Sequence, residues 1–236
     1  MERKGFLKHG IAALGIAFVA PLTKACNKSD SIATTTDTAS GACTATPSET
    51  EGPFPTKNAS ELVRAAITGD RTGVAFTIKI TVTNLNNSCA ALANVLVDIW
   101  HCDKEGNYSE YGGSGMQSTN YTSANWLRGR QTTDANGLVT FTSIFPGWYN
   151  GRATHIHVHI YSTGGTSLLV TQIAFPEGDS SAVALVNATS GYRGMSGYTS
   201  NANDNVFGDG YAAEMSSISG SVADGFVLTH SIAVKA

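Results

Sequence analysis

The chain has no run of basic residues. Only 14% of its 236 residues are charged, and the formal net charge is −3. A phosphate backbone would find nothing to hold, which argues against nucleic acid as a partner. Long apolar runs are also missing. The one candidate, Ile11–Leu22, is short for a membrane span. After it no stretch keeps a 3.6-residue period, and no internal repeat is present. Cysteine is scarce, with four in all and no CxxC spacing. Cys102 therefore lacks the neighbour that a thiolate metal site would use.

The N-terminus reads as a targeting segment over residues 1–25. Arg3, Lys4 and Lys8 give a positive start, the apolar run follows, and Cys26 stands where a cleavage site belongs. LTKAC resembles a lipoprotein box, with its aliphatic residue four rather than three places before the cysteine. ERKGFLK resembles a twin-arginine export signal with Lys4 in place of the second arginine. An ordinary signal peptide cut near Ala25 is the alternative. Each reading sends the protein out of the cytoplasm, as a periplasmic or cell-surface lipoprotein or as a secreted protein. Membrane contact is expected only through a lipid anchor at Cys26. Residues 26–42 then form the anchor and a flexible tether with little to bury. One domain is expected over residues 43–236, long enough to bury a sizeable core.

Export permits disulfides. Cys89 and Cys102 flank a strand and would bridge only if the chain folded back between them; Cys43 then pairs elsewhere or stays free.

Within the domain, period-2 alternation marks strands. Val74, Phe76, Ile78, Ile80 and Val82 alternate with small or polar residues. Asn94–Trp100, Leu138–Ile144, His155–Tyr161, Leu168–Phe175 and Phe226–Val234 complete the set. Asp134–Gly137 and Gly164–Gly165 are turn signals. Many short strands with such turns predict an all-β sandwich of two mainly antiparallel sheets with long loops. The region 180–222, rich in Gly, Ser and Asn, reads as loops over one end.

The chemistry concentrates in FPGWYNGRATHIHVHIY, Phe145–Tyr161. His155, His157 and His159 alternate with Ile156, Val158 and Ile160. On a strand the imidazoles share one face and the aliphatics the other. Two imidazoles on one face can grip a metal ion. A half-exposed strand that merely carries histidine is the alternative for the bare pattern.

Four further segments accompany it in order. They are TEGPFP from Thr50, VLVDIWHCDKEGNYSEY from Val95, LRGRQTTDANGLVTF from Leu127 and LLVTQIAFPEGD from Leu168. Together they resemble the intradiol ring-cleavage dioxygenases, and most closely their secreted branch, over roughly residues 43 to 210. The helical dimerisation segment of the cytosolic catechol-cleaving relatives is not seen. The resemblance implies a prealbumin-like sandwich and a single Fe(III) held by Tyr108, Tyr149, His155 and His157, with no organic cofactor. Tyr111 rivals Tyr108, but Gly106 supplies the G-x-Y match. His159 falls outside the motif and reads as a supporting or surface histidine, and His101 and His230 as structural. The resemblance further implies catalytic roles for Arg152, Tyr149 and Gln172. Arg152 would stabilise negative charge on the substrate, Tyr149 would take a substrate proton, and Gln172 would line the pocket. The reaction implied cuts a catechol or related phenolic between its two hydroxyl-bearing carbons with O2, to a cis,cis-muconate type product. The competing reading is an exported sandwich that binds metal or phenolics without cleaving them.

Overall fold

The computed structural model describes residues 43–236, so the expected leader, Cys26 and the tether lie outside the described residues. Nine strands form two sheets. The first holds β1 (Ala75–Asn84), β2 (Ala90–Ala91), β5 (Leu138–Ile144), β8 (Ser217–Ser221) and β9 (Gly225–Val234). Its path runs β2-β1-β9-β8, and β5 also pairs with β1. All these pairings are antiparallel except β1 with β9, which is parallel from Phe76↔Phe226 to Asn84↔Val234. The second sheet is antiparallel in the order β4-β3-β6-β7, with β3 Leu96–Trp100, β4 Arg128–Thr132, β6 His155–Tyr161 and β7 Ser167–Ala174.

The core follows from the alternation. Phe76, Ile78, Ile80 and Val82 of β1 meet Ile156, Val158 and Ile160 of β6, and all are buried. Burying such a side chain is worth about 1.5–3 kcal/mol, so a one-residue slip of β6, which would turn its histidines inward, is strongly disfavoured. The expected sandwich is therefore the observed one.

Two details depart from the sequence reading, and one alternative within it falls. β2, β4 and β8 were not expected as strands, and the region 180–222 carries β8 and a short helix, α1 (Ala182–Asn187), as well as loops. Ser181 caps α1 by accepting from the Ala184 amide. The imidazole face of β6 is not half-exposed; His155, His157 and His159 are all buried. And Cys89 bonds Cys43, with Cα atoms 5.8 Å apart, while Cys102 is a free buried thiol. The reason is the first sheet. The Thr46 amide donates to the Ala233 carbonyl and the Cys89 amide to the Asn84 carbonyl, and Ala233 pairs with Thr83 in the β1–β9 register, so Cys43 and Cys89 come to the same end of that sheet, whereas Cys102 follows β3 of the other sheet.

Candidate metal centre

The register of the second sheet builds the site. Trp100 of β3 and Gln172 of β7 both lie opposite His157 of β6. Directly opposed side chains share a face. The Trp100 indole accordingly stacks on the His157 ring, with centroids 4.9 Å apart and an interplanar angle of 1°.

The two imidazoles converge. His155 Nε2 lies 3.1 Å from His157 Nε2 and 3.2 Å from the Tyr108 hydroxyl. His155 Nδ1 sits 2.6 Å from the Ala153 carbonyl, which can only accept, so Nδ1 carries the proton and Nε2 presents its lone pair. Burial first, then Arg152 for His155 and His155 itself for His157, hold both rings well below the ordinary imidazole range. Both are neutral and ready to donate to a cation.

Tyr108 reaches this point from the loop after β3. Gly106 turns that loop at φ +86°, and a Cβ there would lie 2.3 Å from the Trp148 carbonyl, so glycine is required. Gln117 clamps the tyrosine backbone, accepting from the Tyr108 amide at 2.6 Å and donating to its carbonyl at 2.8 Å. Tyr111 points elsewhere; its hydroxyl donates to the Pro55 carbonyl. Tyr149 comes from the loop before β6, with its ring 5.7 Å from those of Tyr108 and His155. Burial is the main cause that raises both tyrosines above the ordinary phenol value, Tyr108 furthest, while Arg152 opposes it.

Arg152 is fixed on three sides. Its Nε donates to both Asp204 carboxylate oxygens at 2.9 Å, Nη2 to Gln172 Oε1 at 2.6 Å, and Nη1 approaches the Tyr149 hydroxyl at 3.5 Å. Gln172 in turn donates to the Thr50 carbonyl at 2.8 Å. Thr50 belongs to the TEGPFP strap that covers the imidazoles. Gly52 sits at φ +68° against His157, where a Cβ would lie 3.1 Å from Cε1, and Phe54 stacks on Tyr108. His159 fastens the strap from below, with Nδ1 2.9 Å from Glu51 and Nε2 2.8 Å from the Ser167 hydroxyl. Both its ring nitrogens are thus taken by protein groups. His101 is likewise enclosed, bonded to the Cys102 carbonyl and Ser143.

Every residue expected at the site is brought together there. Three were not foreseen. Asp204, which holds Arg152, comes from the aperiodic 180–222 region, and only its isolation as an acid among asparagines marks it. Gln117 carries no motif. Arg128, wholly buried, donates to the Phe54 carbonyl, to Ser109 and to Thr56, and so ties the strap to the Tyr108 loop. A buried arginine on a polar strand gives no sequence signal beyond its place in LRGRQ.

The donor set fits a hard, highly charged cation. Among the described residues no three His, Cys, Asp or Glu cluster as a metal site; the oxygens here come from phenols. Buried phenols ionise only if a strong positive charge stands beside them, and two phenolates with two neutral imidazoles suit a ferric ion. A cleft of about 440 Å³ runs beside Tyr149 and Arg152, lined also by Thr50, Gly52 and Val206.

A family profile described as Dioxygenase matches residues 48–206. An intradiol ring-cleavage dioxygenase from Tetranychus urticae superposes with a TM-score of 0.70 at 27% identity, covering 82% of this chain and 95% of that one. The dioxygenase domain of a dioxygenase carbohydrate-binding protein fusion from Streptomyces sp. SirexAA-E gives 0.59 at 26% identity, covering 81% and 99%. A 3-chlorocatechol 1,2-dioxygenase from Rhodococcus opacus 1CP gives 0.55 at 21% identity, covering 80% and 71%, a likeness of fold alone. No curated protein matches the chain.

Proposed function

The chain belongs to the intradiol ring-cleavage dioxygenase family, and on that premise we propose that it cleaves a catechol-type ring between its two hydroxyl-bearing carbons with O2, giving a cis,cis-muconate type product. The observation that carries the proposal is the convergence of Tyr108, His155 and His157 on one buried point beside Tyr149 and Arg152. Those two tyrosines and two histidines would hold a ferric ion, which when bound draws electron density from a catecholate ring and opens it to O2.

The protein's own groups do the rest. His155 is held by the Ala153 carbonyl with its Nε2 lone pair aimed inward. Tyr149 is the outermost of the four, lining the cleft, and its phenolate oxygen accepts a proton from an arriving hydroxyl. Arg152 lies within 3.5 Å of that oxygen and lines the same cleft. Its guanidinium stabilises negative charge as it develops on the ring, and Asp204 and Gln172 hold it in place so that no reorganisation is needed at that moment. Phe54 and the strap close the inner end against water.

The export signal read at residues 1–25 and the Cys43–Cys89 disulfide together support action outside the cytoplasm. The test is incubation of the full iron-loaded chain with a panel of catechols under ¹⁸O2. The reading expects a ring-opened diacid carrying both labelled atoms. Binding of catechols without any ring opening would favour the non-cleaving reading instead.

A further inference from the structure

A second cleft, of about 510 Å³, is also lined by Tyr149. It shares Met116, Tyr149 and Asn150 with the cleft beside Arg152. The two therefore meet at the one residue proposed to greet the substrate, and a ring bound beside Tyr149 has room to extend a substituent into the second cleft.

What lines that second cleft is polar and carries one fixed cation. Arg193 stacks over the Trp148 ring at 4.2 Å, donates from Nη1 to the Trp148 carbonyl at 3.1 Å and from Nη2 to Asn150 Oδ1 at 2.9 Å. These contacts set the guanidinium plane and leave other N–H groups unclaimed. Among the described residues no carboxylate lies within ion-pair distance of it. Glu105 is the one acid lining the cleft, and its exposed side chain makes no fixing bond there. Met116, 70% exposed at the junction of the clefts, offers a polarizable thioether for an aromatic ring to lie against.

Resting on the dioxygenase reading, we propose that this enzyme prefers catechols bearing a carboxylate, either on the ring or on a short side chain. Arg193 is the residue that reads the carboxylate, with Asn150 fixing its plane. A guanidinium held on two sides loses little freedom when it pairs, and its fork matches a carboxylate. The site is open to solvent, so the gain is modest, about tenfold in Kd, and salt screens it.

The test is calorimetric titration of the iron-loaded full chain under argon, so that no turnover intervenes. The ligands are catechol, 3,4-dihydroxybenzoate, 3,4-dihydroxyphenylacetate and 3-(3,4-dihydroxyphenyl)propionate. At least one carboxylate should bind about tenfold more tightly than catechol, with the ratio shrinking at high salt. In Arg193→Met the ratio should fall below about threefold, and in Arg193→Glu it should invert. Either variant suffices if the other does not fold. Equal binding of catechol and every carboxylate by the wild type overturns the inference and leaves the dioxygenase reading standing. So does an advantage that survives both substitutions. If no catechol binds at all, the dioxygenase reading fails and this inference fails with it.

Discussion

Single side chains at the centre have separable duties. Arg152→Ala removes a charge aimed at the substrate while Tyr108, His155 and His157 remain, so metal content should hold while turnover falls about a hundredfold to a thousandfold. Steady-state rates beside metal analysis check this. Asp204→Asn is the subtler change. It keeps an acceptor for Arg152 Nε but loses the charge and one of the two oxygens that now receive that donor and the Ala153 amide. We expect about a tenfold loss in kcat with little change in metal content. Unaltered kcat would show that Gln172 alone suffices to hold the guanidinium. Tyr149→Phe should slow the arrival of a catechol more than it weakens metal retention, because it deletes the proton acceptor and leaves three donors. Anaerobic stopped-flow mixing separates the two, and binding as fast as in the wild type would remove Tyr149 from that role. The four proposed ligands and Arg152 were legible because each sits in a short motif with a physical reason for its spacing. Asp204 and Gln117 were not, because they act from loops whose sequence has neither period nor motif and whose place is set only by folding.

At the scale of elements, the strands with clean apolar alternation could be read directly. β1, β5, β6 and β9 each bury apolar side chains at alternate positions over most of their length. β4 and β8 could not. RGRQT of β4 buries an arginine and a glycine, and SISGS of β8 is a largely exposed edge. Nothing in either string rewards one face over the other, and it is pairing with β3 and β9 that makes them strands. The strap from Cys43 to Lys57 is the element most particular to this site. Its anchor is the Cys43–Cys89 bridge, which closes a loop across a separation of 46 residues. Removing it by Cys43→Ser should cost about 2–4 kcal/mol through the greater freedom of the unfolded chain. Chemical unfolding of the two forms measures that directly. A cost near zero would mean that the strap's non-covalent contacts, Arg128 on Phe54 and Thr56 among them, hold it without the bridge.

For the whole molecule, stability should depend on pH through Glu214. This side chain is fully buried between sheet and strap, with Oε2 unpartnered. Burial chiefly, and Glu49 next, push its carboxyl up to about 8 from an ordinary 4.5. Between those values the folded chain keeps a proton that the unfolded chain has released. This group's contribution to stability is therefore fully present below the lower value and is lost as pH rises towards the upper one. A loss on the order of 1–3 kcal/mol from this group is expected between pH 5 and pH 8.5. The buried histidines, held neutral, act in the opposite sense at the acid end, so the measure is the melting temperature of the wild type minus that of Glu214→Gln, which should fall over that range. A difference that stays constant or rises would contradict the assignment. The central claim remains that two tyrosines and two histidines of this sandwich hold a ferric ion. It is tested most directly by metal analysis and the visible absorption spectrum of the purified chain, with Tyr108→Phe measured alongside. The account predicts about one iron per chain and a broad visible band, from tyrosinate-to-iron charge transfer, that weakens and shifts in the variant. A colourless protein loaded with zinc or copper would contradict it.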